Sequence, residues 1–335
     1  MSPRSVTLVL PGLTAAAGAP ASDVPALKFL LKRGSTGLAP SPALVAVARR
    51  LGYDYGAASD IPAGSLAWLA AFGTPPGRPV MQAALVHLRA DLDRLLLYAG
   101  APLRITAEER DALVAAFNAH FVARGVTLHG DGGGRLWMMF DEPPAVRPVP
   151  LEEVLGRSLA AVMPAGEGGA EWSAFLNEVQ MLFFDHPVNR ARQQQGRPAI
   201  NGLWCWGGAV PGAAGGSPAW DKVWTDAAVV RGMAAHAAVA HAALPAGPSA
   251  LAEDGARRPL IWLEMLVEPA AWRDEDGWRE ALAEVESKWV APLTGMLRRG
   301  RIGSLELMLD DGHLRRCGRW RARLGWRVRS APIRA

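Results

Sequence analysis

Short apolar, β-branched runs alternate along this chain with helix-length segments apolar on one face, and few layered folds accommodate that pattern. Val6-Thr7-Leu8-Val9-Leu10 reads as a buried strand leaving a sheet at Pro11-Gly12. A helix is predicted over Pro25–Lys32, and Ser41-Pro42 offers N-cap and N1 chemistry for another that reaches Leu51. Gly and Pro break the stretch from Gly56 to Pro79, which reads as a junction, and Val86–Leu97 has strand-like stretches. Thr106 and Glu109 form a capping box for a helix to Arg124, with Leu113, Phe117, His120 and Phe121 on one face. Val126–Leu128 and Leu136–Phe140 flank a Gly-rich turn as a hairpin. Trp172, Phe175, Leu176, Val179, Leu182 and Phe183 recur at helical spacing. Ile200–Trp206 reads as a strand, Ala227–Leu244 as a helix and Leu260–Val267 as a buried strand. Trp278 to Leu297 marks a long helix, and Ser304–Leu309 and His313–Cys317 bracket a turn. The fold class this predicts is α/β with a mainly parallel sheet flanked by helices.

A chain of 335 residues, half of them apolar, is long enough for a core plus an inserted or appended unit. The net charge of +4 belongs to the tail: Arg315 to Ala335 holds eight Arg and no acid, leaving the remainder at −4. A slightly acidic body is not expected to bind nucleic acid. Cys205 and Cys317 fit no disulfide framework or metal spacing, in keeping with a cytoplasmic protein. Val6–Leu10 imitates a secretory signal only loosely, and no stretch approaches the ~20 apolar residues of a membrane helix.

Four segments are more specific: Asn177-Glu178-Val179-Gln180-Met181-Leu182, His186-Pro187-Val188-Asn189, Gly196-Arg197-Pro198-Ala199-Ile200-Asn201 and Leu203-Trp204-Cys205-Trp206-Gly207-Gly208. In this order they resemble the phosphoglycerate-mutase-like, RPFE-type regulatory family. Val86-His87-Leu88-Arg89, Phe117-Asn118-Ala119-His120-Phe121 and Trp278-Arg279-Glu280-Ala281-Leu282 agree with it too. His186 to Asn201, Leu51-Gly52-Tyr53-Asp54 and Arg231-Gly232-Met233 are also similar to archaeal-type phosphoglycerate mutases of the alkaline phosphatase superfamily. The resemblance implies an alkaline-phosphatase-like core, 1–73 and 170–335, with a smaller inserted α+β domain at 74–169 and a basic C-terminal strand.

Enzymes of that superfamily transfer phosphoryl groups with two divalent metals, Mn or Zn, held by Asp and His. The first strand of such enzymes ends in a metal-binding Asp-Gly, where this chain has Pro11-Gly12. Near the expected nucleophile only Ser35, Thr36 and Ser41 occur, in another context. Glu264 and Glu268 follow the late strand without a His, and Asp310, Asp311 and His313 read more simply as a hairpin turn. The resemblance therefore implies a degenerate metal site in a regulatory or binding protein. The alternative is an active phosphoryl-transfer enzyme with metal ligands drawn from Asp54, Asp60, Glu264, Glu268, Asp310, Asp311 and His313.

Asn189, Arg192 and Asn201, with His186 beside Pro187, are residue types that hold phosphate or carboxylate oxygens of a small metabolite. Their plainer reading is structural, with the asparagines capping and turning the chain and His186 satisfied internally. Gly207-Gly208 sits where an open parallel sheet would place a ligand. Arg319, Arg321 and Arg323 alternate with Trp320, Ala322 and Leu324 as in an edge strand with one cationic face; a solvated edge that repels aggregation is the plainer reading, and nucleic-acid contact through Arg and Trp is the alternative.

Overall fold

The computed structural model describes residues 4–14, 24–37, 41–91 and 94–323. Its first elements are β1 (Ser5–Val9), α1 (Pro25–Arg33), β2 (Ser35–Gly37), α2 (Ala43–Arg50) and α3 (Ala63–Phe72). Then come β3 (Val80–Asp91), β4 (Arg94–Tyr98), α4 (Ala107–Phe121), β5 (Val126–Gly130), β6 (Leu136–Phe140) and α5 (Leu151–Val154). The middle of the chain holds α6 (Gly169–Phe184), α7 (Pro187–Gln194), β7 (Gly202–Trp206), β8 (Lys222–Trp224), α8 (Ala228–His236) and β9 (Ala240–Ala242). It closes with α9 (Ala250–Glu253), β10 (Pro259–Trp262), α10 (Val267–Trp272), α11 (Glu275–Val285), α12 (Ala291–Arg298), β11 (Ser304–Met308), β12 (Leu314–Gly318) and α13 (Arg319–Arg323). Among the described residues no helix is long and apolar enough to cross a membrane.

Two compact units result, 1–56 with 212–335 and 57–211. The first is built on a seven-stranded sheet in the order β2-β12-β11-β1-β10-β8-β9. β11, β1, β10, β8 and β9 run parallel, and β12 is antiparallel to both its neighbours. The α/β class with a mainly parallel sheet is therefore what the alternation predicts. Period-two side-chain alternation sends Val6, Leu8, Leu305 and Leu307 to one face, where they pack with Leu27 and Leu30 of α1 and Leu282, Leu293 and Leu297 of α11 and α12. The opposite face is more polar. The Trp220 indole donates to Thr7 Oγ1 at 2.9 Å, Thr7 donates to Glu306 at 3.1 Å, and Arg50 of α2 approaches the same carboxylate at 3.5 Å.

The long helix predicted over Trp278–Leu297 is present with one irregularity, a π-helical stretch over Glu286–Val290. That widened turn presents the buried Glu286 to the start of α1, where its carboxylate accepts Ala26 N at 2.6 Å and Leu27 N at 3.0 Å. α1 has Val24 at its N-cap position and no side-chain cap of its own, so an acid 260 residues away serves as its cap.

The second unit is antiparallel. β4, β3, β6 and β5 lie in that order, and β7 also pairs β3. α4 and α6 cover it through Phe117, Phe121, Trp172, Val179 and Phe183. The expected capping box is in place: Thr106 Oγ1 accepts Glu109 N at 3.2 Å, and Glu109 accepts Thr106 N at 3.0 Å. The hairpin of β5 and β6 also matches its prediction, and Asp131 closes its turn by accepting Gly133 N.

Several expectations need correction. The unit boundaries differ from the inserted domain at 74–169, because β7 pairs β3 along Gln82–Val86 and draws the preceding helices with it. The stretch from Gly56 to Pro79 is not only a junction: it contains α3, whose AGSLAWLAAF sequence is apolar all round and shows no stripe. The Ala-rich helix stops at His236: Ala238 takes φ +54, and Ala240–Ala242 becomes β9. β10 ends at Trp262, and Val267 starts a helix instead of ending a strand. The basic segment after Gly318 is helical, not a strand, with Ala322 buried and Trp320 73% exposed; Leu324 lies outside the described residues.

Candidate functional site

Because β1, β10 and β11 are parallel neighbours, the segments leaving their C-terminal ends share one edge of the sheet. Here the chain runs through Pro11-Gly12-Leu13-Thr14, Leu263-Glu264 and Leu309-Asp310. Asp310 organises this edge: Oδ1 accepts Gly12 N at 2.5 Å, and Oδ2 accepts both Thr14 N and Thr14 Oγ1 at 2.6 Å. Gly12 makes the turn possible, with φ at +85° and a carbonyl that accepts the Trp278 indole N–H at 2.8 Å. A Cβ there would lie 2.5 Å from Leu266 O, so no other residue fits without backbone movement.

The remaining sequence candidates do not join Asp310 in a ligand set. Asp311 Oδ2 pairs His313 Nδ1 at 2.6 Å, and Asp311 Oδ1 accepts His313 N, as an exposed turn would. Partial burial raises the Asp311 carboxyl, and the bonds and charge from His313 outweigh it, leaving the group below the ordinary carboxylate range. Glu264 accepts the Trp262 indole at 3.3 Å, and Glu268 is exposed in the first turn of α10. Asp54 is exposed, and Asp60 belongs to the other unit, where it accepts Ala57 N and meets Arg147. Ser41 N donates to Asp311 O, and α2 begins at Ala43 with Pro42 at its N-cap, so Ser41 stands one residue before the cap position.

A two-metal centre needs several Asp and His side chains converging from different strand ends. Among the described residues no group of three or more His, Cys, Asp or Glu is placed to hold a metal ion. Pro11 contributes no side-chain donor, and the Asp310 oxygens are already engaged by three protein donors. Among the described residues the donor set does not fit the two divalent metals that the family resemblance implies. Sequence reasoning missed Thr14, which lies 296 residues from Asp310 and becomes its partner only through the pairing of β1 with β11.

The four proposed ligand-binding residues lie in the second unit and engage the protein itself. His186 is the N-cap of α7, where Nδ1 accepts Val188 N at 3.3 Å; partial burial, with Arg190 nearby, lowers its pKa. Asn189 is buried, donating to Phe183 O and Ile200 O and accepting Ile200 N at 2.7 Å. Asn201 holds the backbone of Leu88 through both its amide atoms. Arg192 is 0% exposed, and its donors reach Pro198 O, Leu103 O and Glu109 Oε2 at 2.6–2.7 Å. All of these contacts are internal to the protein, and Glu109 is the partner of Arg192 that the sequence did not reveal. Gly207-Gly208 leaves an antiparallel strand and not the parallel edge. Gly207 O accepts Gly64 N, and side chains at the pair would meet Ala63 and Met81.

Outside these groups, Tyr53 O–H contacts His236 Nδ1 at 2.8 Å and Met233 O at 3.1 Å, and it stacks on Tyr55 at 5.4 Å. Burial pushes the Tyr53 phenol well above the ordinary tyrosine range and raises that of Tyr55. His241 Nδ1 contacts Val239 O at 3.2 Å.

No protein-family model matches the chain. A probable 2,3-bisphosphoglycerate-independent phosphoglycerate mutase from Geobacter sulfurreducens is 32% identical over 59 residues, 18% of this chain and 15% of that protein's length. The cofactor-independent phosphoglycerate mutase from Thermoplasma acidophilum superposes with a TM-score of 0.41 at 14% identity, over 94% of this chain and 89% of its own. The PH0037 protein of Pyrococcus horikoshii gives 0.49 at 15% identity, over 95% and 88%. Likenesses of this degree assign no role to any residue.

Proposed function

We propose that this chain is a phosphoglycerate-mutase-like protein of the RPFE-type regulatory kind. On this reading an alkaline-phosphatase-like core binds a small phosphorylated or carboxylated metabolite, or a protein partner, without two-metal turnover. The observation that carries the reading is the engagement of Asp310. A carboxylate that accepts three hydrogen bonds from the Gly12–Thr14 loop acts as an internal clasp at the strand end where a metal ligand would be needed. The local identity to a probable 2,3-bisphosphoglycerate-independent phosphoglycerate mutase supports the choice of ligand class.

A second reading, metal-dependent phosphoryl transfer with rearranged ligands, draws on the adjacency of β1, β10 and β11, which brings Glu264 and Asp310 to one edge. Protein purified without chelators and exposed to Mn²⁺ and Zn²⁺ separates the two. The binding reading expects well under one metal per chain, a rise in Tm with 3-phosphoglycerate, and no interconversion of phosphoglycerates. About two metals per chain with mutase turnover would overturn it in favour of the enzyme.

A further inference from the structure

The hairpin of β11 and β12 is electrically polarised. Its turn carries Asp310 and Asp311, while its other end meets the last turn of α12 and the start of α13. From Arg298 to Arg323 the chain holds eight Arg against three acids, and the third acid, Glu306, is buried within the sheet between Arg50 and Arg316. Five residues of β11 at ~3.3 Å per residue set the acidic turn about 17 Å from the basic end. There Arg319 N donates to Gly303 O at 3.1 Å, fastening α13 beside the Arg299-Gly300-Arg301 loop. Arg299, Arg301, Arg316 and Arg321 are exposed.

The helical form of 319–323 changes what this segment presents. An alternating edge strand would place Trp320 and Ala322 on the same face. The helix instead buries Ala322 in the core and leaves Trp320 73% exposed, with the Arg319 guanidinium 5.6 Å from its ring centre. A wide apolar surface indole framed by guanidinium groups is the chemistry that stacks a base while neutralising its phosphates. A lipid surface would call for an apolar face several residues wide, and Trp320 is the one large apolar side chain of α13.

We propose that the α12–α13 end of the first unit is a docking surface for single-stranded nucleic acid, with Trp320 as the stacking platform and Arg299, Arg301, Arg319 and Arg321 as phosphate contacts. The weakly acidic charge of the rest of the chain is no obstacle, because Arg299, Arg301, Arg319 and Arg321 belong to the end of the hairpin away from Asp310 and Asp311, while Arg315 and Arg316 lie within β12. The direct test is fluorescence anisotropy of the full chain with a labelled oligothymidylate of about 16 nucleotides, titrated between about 50 and 200 mM salt. Binding should weaken with salt. Arg319→Gln with Arg321→Gln should reduce the log–log salt slope by about 1.4, two phosphates at ~0.7 each. Trp320→Ala should weaken binding on the order of tenfold. Arg321→Glu serves as a second variant, and unchanged circular dichroism and Tm show that each variant is folded. No binding at the lowest salt, an unaltered slope in the arginine variants, or wild-type affinity for Trp320→Ala would each overturn the proposal. So would tighter binding to phosphatidylserine vesicles than to the oligonucleotide.

Discussion

Replacing Arg192 with alanine removes a guanidinium that is wholly buried and holds three separate segments: Leu103, Glu109 and Pro198. Truncating one partner of a buried pair costs about 3–5 kcal/mol, because the other charge stays behind without its counterion. Glu109 keeps Arg197 at 2.8 Å and the Thr106 N–H, so the expected loss sits near the lower bound, about 3 kcal/mol. At a urea m-value of ~1–3 kcal/mol/M that is a midpoint shift of about 1–3 M. The cost belongs to the protein without ligand, and urea unfolding followed by circular dichroism measures it. The Arg192→Ala/Glu109→Ala double variant should lose less than the sum of the single losses. A single-variant loss under ~1 kcal/mol would refute the reasoning. If Arg192 held a metabolite instead, the apo protein would keep its stability and only the Tm rise with 3-phosphoglycerate would vanish.

Acid should find the same network. Burial pushes the Glu109 carboxyl up, but the Thr106 N–H and the charges of Arg192 and Arg197 outweigh it, so its folded pKa is depressed. The unfolded chain then binds more protons near its ordinary value of ~4.3. The stabilisation is complete above that value and is lost as pH falls through the folded pKa, so the acid limb of a stability–pH curve should be flatter in Arg192→Ala. Gly12→Ala, which forces a left-handed φ and a contact with Leu266 O, should cost roughly 2–4 kcal/mol by thermal unfolding. Glu286→Gln keeps the shape but removes the charge capping α1, and urea unfolding should record a loss of about 1–2 kcal/mol. Spectrophotometric titration should find Tyr53 and Tyr55 ionising above the ordinary range, with stability falling as pH rises through it.

What the sequence could disclose depended on how local each cause is. The Thr106–Glu109 capping box, the α6 stripe and the hairpin of β5 and β6 rest on residues a few positions apart, and they appear where expected. α3 escaped because an all-round apolar segment has no periodicity to read. β9 escaped because three residues of alanine and histidine carry no strand preference, and the parallel pairing with β8 decides them. The site residues were harder still. Arg192, Asn189 and Asn201 offer the same donors to a phosphate as to a carbonyl, and their internal partners Glu109, Ile200 and Leu88 come into view only in the fold. Asp310 was visible as a turn residue, but its role as the clasp for Gly12 and Thr14 required β1 and β11 to be neighbours.

The two cysteines lie in different units, Cys317 in the first and Cys205 in the second, and both are buried. Burial holds the Cys205 thiol far above its ordinary pKa, so it is a poor nucleophile while its strand stays in the sheet. Each unit thus contains one internal reporter. In a pulse of thiol reagent followed by mass spectrometry of the peptides, modification of Cys205 would time the opening of the antiparallel unit, and that of Cys317 the opening of the parallel one.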